Sequence, residues 1–308
     1  MPQHNKIDHR QEVTNDVVRM IEEGLAPFQK PWKAGAYHTP YNTTSLRPYH
    51  DGNVLDRMAL MMKNGWTDPR FVTYHQAQEK GWQVRKGEKG RHVEYWEFPH
   101  VPREGDSEEN DDHKSPAIHK LYTVFNAAQV DGMPPLDLPE RNEWEVIEEG
   151  ERILAGTGAD IRHDGSDRVF YRPSSDSIHL PVKDAFPSAT NYYPVALHEL
   201  AHWTGLNRLK SFPFDPPDYA CEELRAELAS LFIAAECGLP FDPQNSAVYM
   251  KSWIEPVKVD KDEIFHAASD AEKAKDYVLA LDRGEIPQVK GFVQMEEERR
   301  AAKAERSR

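Results

Sequence analysis

The stretch His198-Glu199-Leu200-Ala201-His202 reads H-E-x-x-H and constrains this chain more than any other. On a helix, positions four apart lie one above the other on one face. His198 and His202 therefore offer two imidazole nitrogens to one ion. Glu199 stands about 100° round the helix, beside the open side of such an ion. A zinc ion held by few protein ligands keeps a water in its remaining position and acidifies it. A neighbouring carboxylate then takes the proton, which is the chemistry of a zinc-dependent peptidase. The rival reading is two surface histidines on an ordinary helix. The surroundings favour the metal: Asn191-Tyr192-Tyr193-Pro194 starts a helix with proline in its first turn, and Leu197, Leu200 and Ala201 give that helix an apolar back. Thr204-Gly205 ends it, with Gly205 expected in the left-handed conformation.

The third ligand sets the class of centre. In H-E-x-x-H-x-x-G-x-x-H a third histidine follows, but here Gly205 is followed by Arg208 at that position, and arginine does not ligate zinc. The other source is a carboxylate from a following helix, and residues 219–236 read as that helix. Ala220, Leu224, Leu228, Leu231 and Ala235 form its apolar stripe, with Glu222, Arg225 and Glu236 on the polar face. Glu227 falls at the edge of the stripe, where a carboxylate is costly unless paired or bound to metal. It is the expected ligand, and Glu223, one turn earlier on the same side, is the alternative.

At 308 residues the chain has room for two domains. No apolar run approaches the length of a membrane span, and the first residues, MPQHNKIDHRQEV, lack the apolar centre of a secretory signal. Cys221 and Cys237 stand at opposite ends of the second helix, about 24 Å apart at helical rise, too far for a disulfide. A reduced, cytoplasmic protein is expected. Charge is uneven. Residues 1–100 hold 14 Lys and Arg against 12 Asp and Glu, leaving 24 against 40 elsewhere, so the net −14 divides into +2 and −16. Any nucleic-acid contact should come from the near-neutral first part, through local basic patches.

Helical spacing predicts helices over 8–24, 51–64 and 74–80, and strand character over 68–73 and 121–126. Trp82 to Phe98 reads as two strands joined in a hairpin by Lys86-Gly87-Glu88-Lys89-Gly90. The acidic stretch 104–116 reads as a solvated loop within this first domain, and the boundary is expected in Met133–Pro139. The second part opens with a helix near 140–155, then strands at 167–171 and 177–180. Ser177–Leu180 is the candidate sheet edge on which a peptide would pair. Helices over 245–253 and 261–281 should pack behind the metal helices, and the charged tail should fray.

Single-strand binding needs cations along a groove and flat aromatics for base stacking. The first part supplies Trp32, Tyr41, Tyr49, Trp66, Phe71, Trp82 and Trp96, interleaved with Lys30, Lys33, Arg47, Arg70, Arg85, Lys86, Lys89 and Arg91. Taken by themselves, tryptophans are more often core and a charged turn is more often merely soluble.

PWK at 31–33, GWTDPRFVTYHQA at 65–77, VRKGEKG at 84–90 and VFNAAQVDG at 124–132 resemble the N-terminal domain of ArdC-type antirestriction proteins, which also resembles the leading part of TraC-type plasmid primases. SSDSIHLP at 174–181, HELAHWTG at 198–205 and YACEELRAELASLF at 219–232 resemble the zincin-like peptidase domain of the same family. The resemblance implies an α+β protein of two domains: a single-stranded DNA-binding domain over 1–136 and a zincin-like metallopeptidase domain over 137–290, before a tail at 291–308. It implies protection of incoming mobile-element DNA from host restriction, with single-stranded DNA and a host protein, such as a restriction component, as partners. His198, His202 and Glu227 would hold Zn2+ and Glu199 would serve as general base. Tyr171, His179, Tyr192 and Tyr219 are equivalent candidates for stabilising the oxyanion. The rival class is a non-catalytic DNA-binding protein whose zinc domain is a structural or docking module.

Overall fold

The structure, a computed structural model, describes residues 8–24, 32–97, 118–138, 142–165, 167–205, 209, 219–241 and 257–285, with backbone only at 219 and 220. The acidic stretch 104–116, the helix expected over 245–253 and the charged tail lie outside the described residues.

In chain order the elements are α1 (His9–Glu22), β1 (Tyr41–Asn42), α2 (Gly52–Asn64), β2 (Arg70–Thr73), α3 (Tyr74–Glu79), β3 (Gln83–Val84), β4 (Arg91–Glu97), β5 (Ile118–Asn126) and β6 (Val130–Asp131). There follow α4 (Glu143–Gly156), β7 (Asp160–His163), β8 (Phe170–Arg172), β9 (Ser177–Leu180), α5 (Ala189–Thr204), α6 (Tyr219–Cys237) and α7 (Glu263–Asp282). Two compact units result: one of Met1–Pro40, Pro48–Pro69 and Leu136–Arg308, the other of Tyr41–Arg47 and Arg70–Pro135. One division falls inside the proline-rich stretch 133–139. The others do not follow the consecutive order expected from the sequence, because α1 and α2 pack into the larger unit.

In the larger unit, α1 is capped by Asp8, whose carboxylate accepts from the Gln11 amide at 3.1 Å, and it buries Val13, Val17, Met20 and Ile21. These positions are spaced for one helical face. α4 begins with a reciprocal capping box between Asn142 and Glu145. It approaches α5 closely through Gly150, where an added Cβ would fall 2.4 Å from the Tyr193 ring. α6 is buried nearly all round, with Leu224, Leu228, Leu231, Phe232 and Ile233 inside the core and α5 and α7 against it. A helix that is apolar on every side belongs in the interior.

The small sheet of this unit has the order β7-β9-β8, with β7 parallel and β8 antiparallel to β9. β9 is therefore the central strand, and all four of its residues are buried. The expectation that Ser177–Leu180 forms a sheet edge is corrected: β7, which was not anticipated, covers one side of it and β8 the other.

The smaller unit holds a four-stranded sheet of order β1-β2-β5-β4 and a separate pair β3-β6. Val72, Ala77, Val84 and Val130 form its core, with Trp82 and Phe125 packed on it. β3 pairs with β6 and β4 with β5, so the glycine-rich stretch 86–90 links two sheets and does not close a hairpin. A two-residue strand followed by a turn carries too little periodicity to name its partner.

In the larger unit, His50, just before α2, is 2.6 Å from the Glu272 carboxylate of α7 through Nδ1, and the Asp51 amide donates to the same carboxylate. The hydrogen bond to Glu272 holds His50 above its ordinary pKa. Burial pushes Glu272 up, but His50 and the Asp51 amide outweigh it and hold Glu272 below the usual carboxylate range. The raised histidine contributes stability that is lost as pH rises through its folded pKa. The lowered carboxylate contributes stability that is lost as pH falls through its own. Glu272→Gln should thus cost most stability between about pH 5 and 6.5, and less at pH 9. Because the His50 side chain is 62% exposed, the pH-dependent part should be at most about 1 kcal/mol. Urea melts of both proteins across that range check it, and a cost that does not fall toward pH 9 contradicts it.

Candidate functional site

α5 carries His198, Glu199 and His202, and α6 carries Glu222, Glu223 and Glu227. α5 begins at Ala189, two residues earlier than expected, so Pro194 lies in its second turn and removes one bond from the helical ladder. The two Nε2 atoms of His198 and His202 face each other at 3.1 Å. Glu223 reaches both, its Oε2 being 3.5 Å from His198 Nε2 and its Oε1 3.5 Å from His202 Nε2. His198, His202 and Glu223 each offer one ligand atom within 4.8 Å of the others. Behind them, Glu227 stands 3.1 Å from His198 Nδ1 and Glu222 stands 3.1 Å from His202 Nδ1.

The donor set fits a divalent cation. With each Nδ1 donating to its own carboxylate, both Nε2 atoms present lone pairs, and Glu223 adds negative oxygens to the same point. Two imidazoles and a carboxylate without a donor between them are the ligand chemistry of zinc and its neighbours. Burial alone would lower the pKa of His198, but Glu223 and Glu227 outweigh it and hold the ring well above its ordinary value. Glu199 is buried, and among the described residues no hydrogen bond or ion pair ties its carboxylate.

Glu223, the alternative, and not Glu227, meets both Nε2 atoms. Spacing places both carboxylates on the side of α6 that faces α5 but does not fix where the helices cross, and one turn of shift exchanges their roles. A second difference concerns Glu222 and Arg225, expected on a solvent face. Both are buried, Arg225 with no exposed surface, and neither was recognised from the sequence as part of the site. Gly205 does follow the helix, but its φ is −69° and not left-handed.

Of the four oxyanion candidates, three have their polar atoms engaged elsewhere. Tyr171 donates to Asp176 at 2.9 Å, and the Tyr192 hydroxyl lies 3.0 Å from His163 Nε2. His179, buried in the central strand, has Nδ1 2.7 Å from Asp164 and Nε2 2.9 Å from the Ser177 hydroxyl. Burial raises the Tyr192 hydroxyl pKa. Tyr219 begins α6, and its side chain is outside the described residues.

The nucleic-acid candidates divide as well. Trp32 belongs to the core of the larger unit, its ring tilted 33° against that of Phe241, with its ring N–H donating to the Leu239 carbonyl at 3.2 Å. Arg70 is buried and donates to the Pro134 carbonyl at 2.8 Å. Both are corrected from surface contacts to structural groups. Trp66 and Trp82 are half-buried, as is Arg91. Lys33, Arg47, Arg85, Lys86 and Lys89 are exposed, Arg85 being held by Glu88, Asp131 and the Ala128 carbonyl. Lys30 lies outside the described residues.

Exposed aromatics stand on β4 and β5: Trp96, expected among the stacking residues, and Tyr95 and Tyr122, which were not. The register pairs Val93 with Tyr122 and Tyr95 with Lys120. Residues paired across strands share a face, so Arg91, Tyr95, Tyr122 and Lys120 line one side. The Tyr95 and Tyr122 rings are 6.0 Å apart, with 48% and 44% of each residue exposed. On the opposite face Trp96 stacks on His119.

Residues 7–125 match the model of the N-terminal domain of anti-restriction factor ArdC, and residues 148–270 match a zincin-like metallopeptidase model. The chain is similar to the crystal structure of the antirestriction ArdC protein from the R388 plasmid in its metal-free form: 36% identity, 91% of this chain and all of that one, TM-score 0.74. The Mn(II)-bound form of the same protein aligns with 35% identity over 90% of this chain and 98% of that one, TM-score 0.72. Two Escherichia coli proteins named DNA primase TraC are 44% and 39% identical over 90% and 92% of this chain. The chain spans only about a quarter of their length, 27% and 21% respectively.

The geometry separates the two carboxylates of α6 by experiment. Glu223→Gln should abolish tight divalent-metal binding. Glu227→Gln, which weakens the support of one histidine, should lower affinity only about 10- to 100-fold. Competition against a chromogenic chelator measures both. Lost binding in Glu227→Gln with wild-type binding in Glu223→Gln would reverse the assignment.

Proposed function

The chain belongs to the ArdC antirestriction family, and from that premise we propose that it binds single-stranded DNA and carries a working zinc peptidase centre that protects incoming mobile-element DNA from restriction. The convergence of His198, His202 and Glu223 on one point, with Glu199 beside them, carries the peptidase half of this reading. His198, His202 and Glu223 would hold the ion, while Glu227 and Glu222 hold the two rings. A bound zinc ion supplies positive charge that acidifies water and polarises a peptide carbonyl. Glu199 takes a proton from the attacking water on its carboxylate and passes it to the departing amine. Tyr219, four residues before Glu223 on the same helix, is the remaining candidate to donate to the oxyanion. The substrate is a protein of the recipient cell, such as a restriction component.

The DNA half is supported by the face of β4 and β5 that carries Tyr95 and Tyr122 with Arg91 and Lys120. Bases stack on exposed aromatic rings whatever their identity, while nearby cations follow the phosphates. Arg85, Lys86 and Lys89, in the link that leads into β4, extend the positive charge. Among the described residues no helix is long and apolar enough to cross a membrane.

Two experiments test the halves separately. Glu199→Gln should keep metal and single-stranded DNA affinity yet lose protection of unmodified DNA entering a restricting host. Full protection by that variant would instead establish the rival reading, a DNA-binding protein with a non-catalytic metal module. Tyr95→Ala with Tyr122→Ala should weaken single-stranded DNA binding at least tenfold, from about 1–3 kcal/mol per stacked base. Lys86→Glu with Lys89→Glu should flatten its salt dependence. Fluorescence anisotropy at several salt concentrations reads both, and unchanged affinity and slope would remove this surface from the DNA site.

A further inference from the structure

Arg225 lies three residues beyond Glu222 on α6 with no exposed surface. A buried guanidinium is strongly unfavourable unless its donors are all used and its charge is paired. Here its Nε donates to Glu222 Oε2 at 2.7 Å and its Nη2 to Glu222 Oε1 at 2.5 Å, a two-point clasp of one carboxylate. Nη2 also donates to the Ala201 carbonyl at 2.9 Å, and Nη1 to the Thr204 hydroxyl at 3.2 Å. Ala201 and Thr204 bracket His202 in the last turn of α5, where carbonyls lack helical partners and favour a cation. The clasped Glu222 Oε1 is the atom that meets His202 Nδ1 at 3.1 Å.

Gly205 explains how the pair fits. An ideal Cβ at this position would fall 2.9 Å from Arg225 Nη2 and 3.1 Å from Glu222 Oε1. Its φ of −69° is open to any residue, so the requirement for glycine comes from this close approach and not from the backbone.

We propose that Glu222 and Arg225 are positioning residues for the metal site: together they fix His202 as its Nδ1–H tautomer and aim its Nε2 lone pair at the point shared with His198 and Glu223. The inference rests on the reading of His202 as a metal ligand. A single carboxylate on a ligating histidine sets its tautomer and orientation and raises its basicity. Arg225 adds a second link, anchoring that carboxylate to the backbone of the helix that carries the histidine. The ligand and its support therefore move as one piece.

The alternative is that the ion pair only fastens α6 to the end of α5. Full-length wild-type protein, Glu222→Gln, and the paired replacement Glu222→Leu with Arg225→Met distinguish the two. The paired change puts apolar groups of similar length where the buried pair was, an exchange that often preserves folding. Zinc affinity by chelator competition, the melting temperature of the metal-free protein, and the His202 tautomer from long-range 15N–1H spectra of metal-free protein are measured on each. The proposal expects the Nδ1–H form in wild type and mixed tautomers in Glu222→Gln. It expects zinc affinity to fall 10- to 100-fold in every folded variant. Affinity within twofold of wild type in a folded variant, or an unchanged His202 tautomer in Glu222→Gln, overturns it whatever the melting temperature does. Should the paired variant not fold, the tautomer in Glu222→Gln decides alone. Wild-type protein that takes up no zinc would defeat the metal-site reading itself, an outcome distinct from zinc that binds equally with and without the clasp.

Discussion

Three potential acceptor atoms meet in this molecule, His198 Nε2, His202 Nε2 and the carboxylate of Glu223, and when both imidazole protons sit on Nδ1 no donor stands between them. Lone pairs turned on one another repel, and in a buried setting that repulsion is little screened. Two things relieve it, a proton on an imidazole or a cation at the common point. The first is expressed in the raised pKa of His198. The surroundings fit the second as well, because Glu227 and Glu222 stand at the two Nδ1 atoms and leave the inner nitrogens for a ligand.

Such a cluster persists only if its helices are held rigidly. α6 is buried along most of its length, with Glu236 exposed near its end, and α5 and α7 close over it. α4 packs against α5 through Gly150. Behind α5 the sheet β7-β9-β8 places its fully buried central strand. Its His179 is held between Asp164 and Ser177, which gives the strand an internal polar link. The polar groups inside this unit are thus of two kinds: those turned toward the metal point, and those that tie the supporting elements together.

The sequence made the larger features legible because they have strong periodicity or rigid spacing. H-E-x-x-H can put two imidazoles together on only one kind of element, and α1, α2, α4 and α6 all announce themselves by apolar spacing. What failed to show were properties set by packing between elements. Glu223 and Glu227 stand one turn apart on the same side of α6, and only the crossing of α5 and α6 decides which of them meets both Nε2 atoms. Glu222 and Arg225 look like a solvent-facing ion pair because charge is the only property a stripe argument weighs. Trp32 sits among lysines in the sequence and resembles a stacking residue, whereas its ring is held by Leu239 and Phe241, more than two hundred residues away. Tyr95 and Tyr122 went unweighed because alternation along β4 and β5 does not tell which face stays open.

The decisive facts are where the metal sits and which oxygen reaches it. An anomalous difference map at the zinc edge, from crystals of the zinc-loaded protein, measures that directly. The account predicts a single strong peak in this domain bonded to His198 Nε2, His202 Nε2 and a Glu223 oxygen, with Glu227 and Glu222 still at the outer nitrogens. A peak ligated by Glu227 in place of Glu223, or no peak between the two histidines, would contradict it.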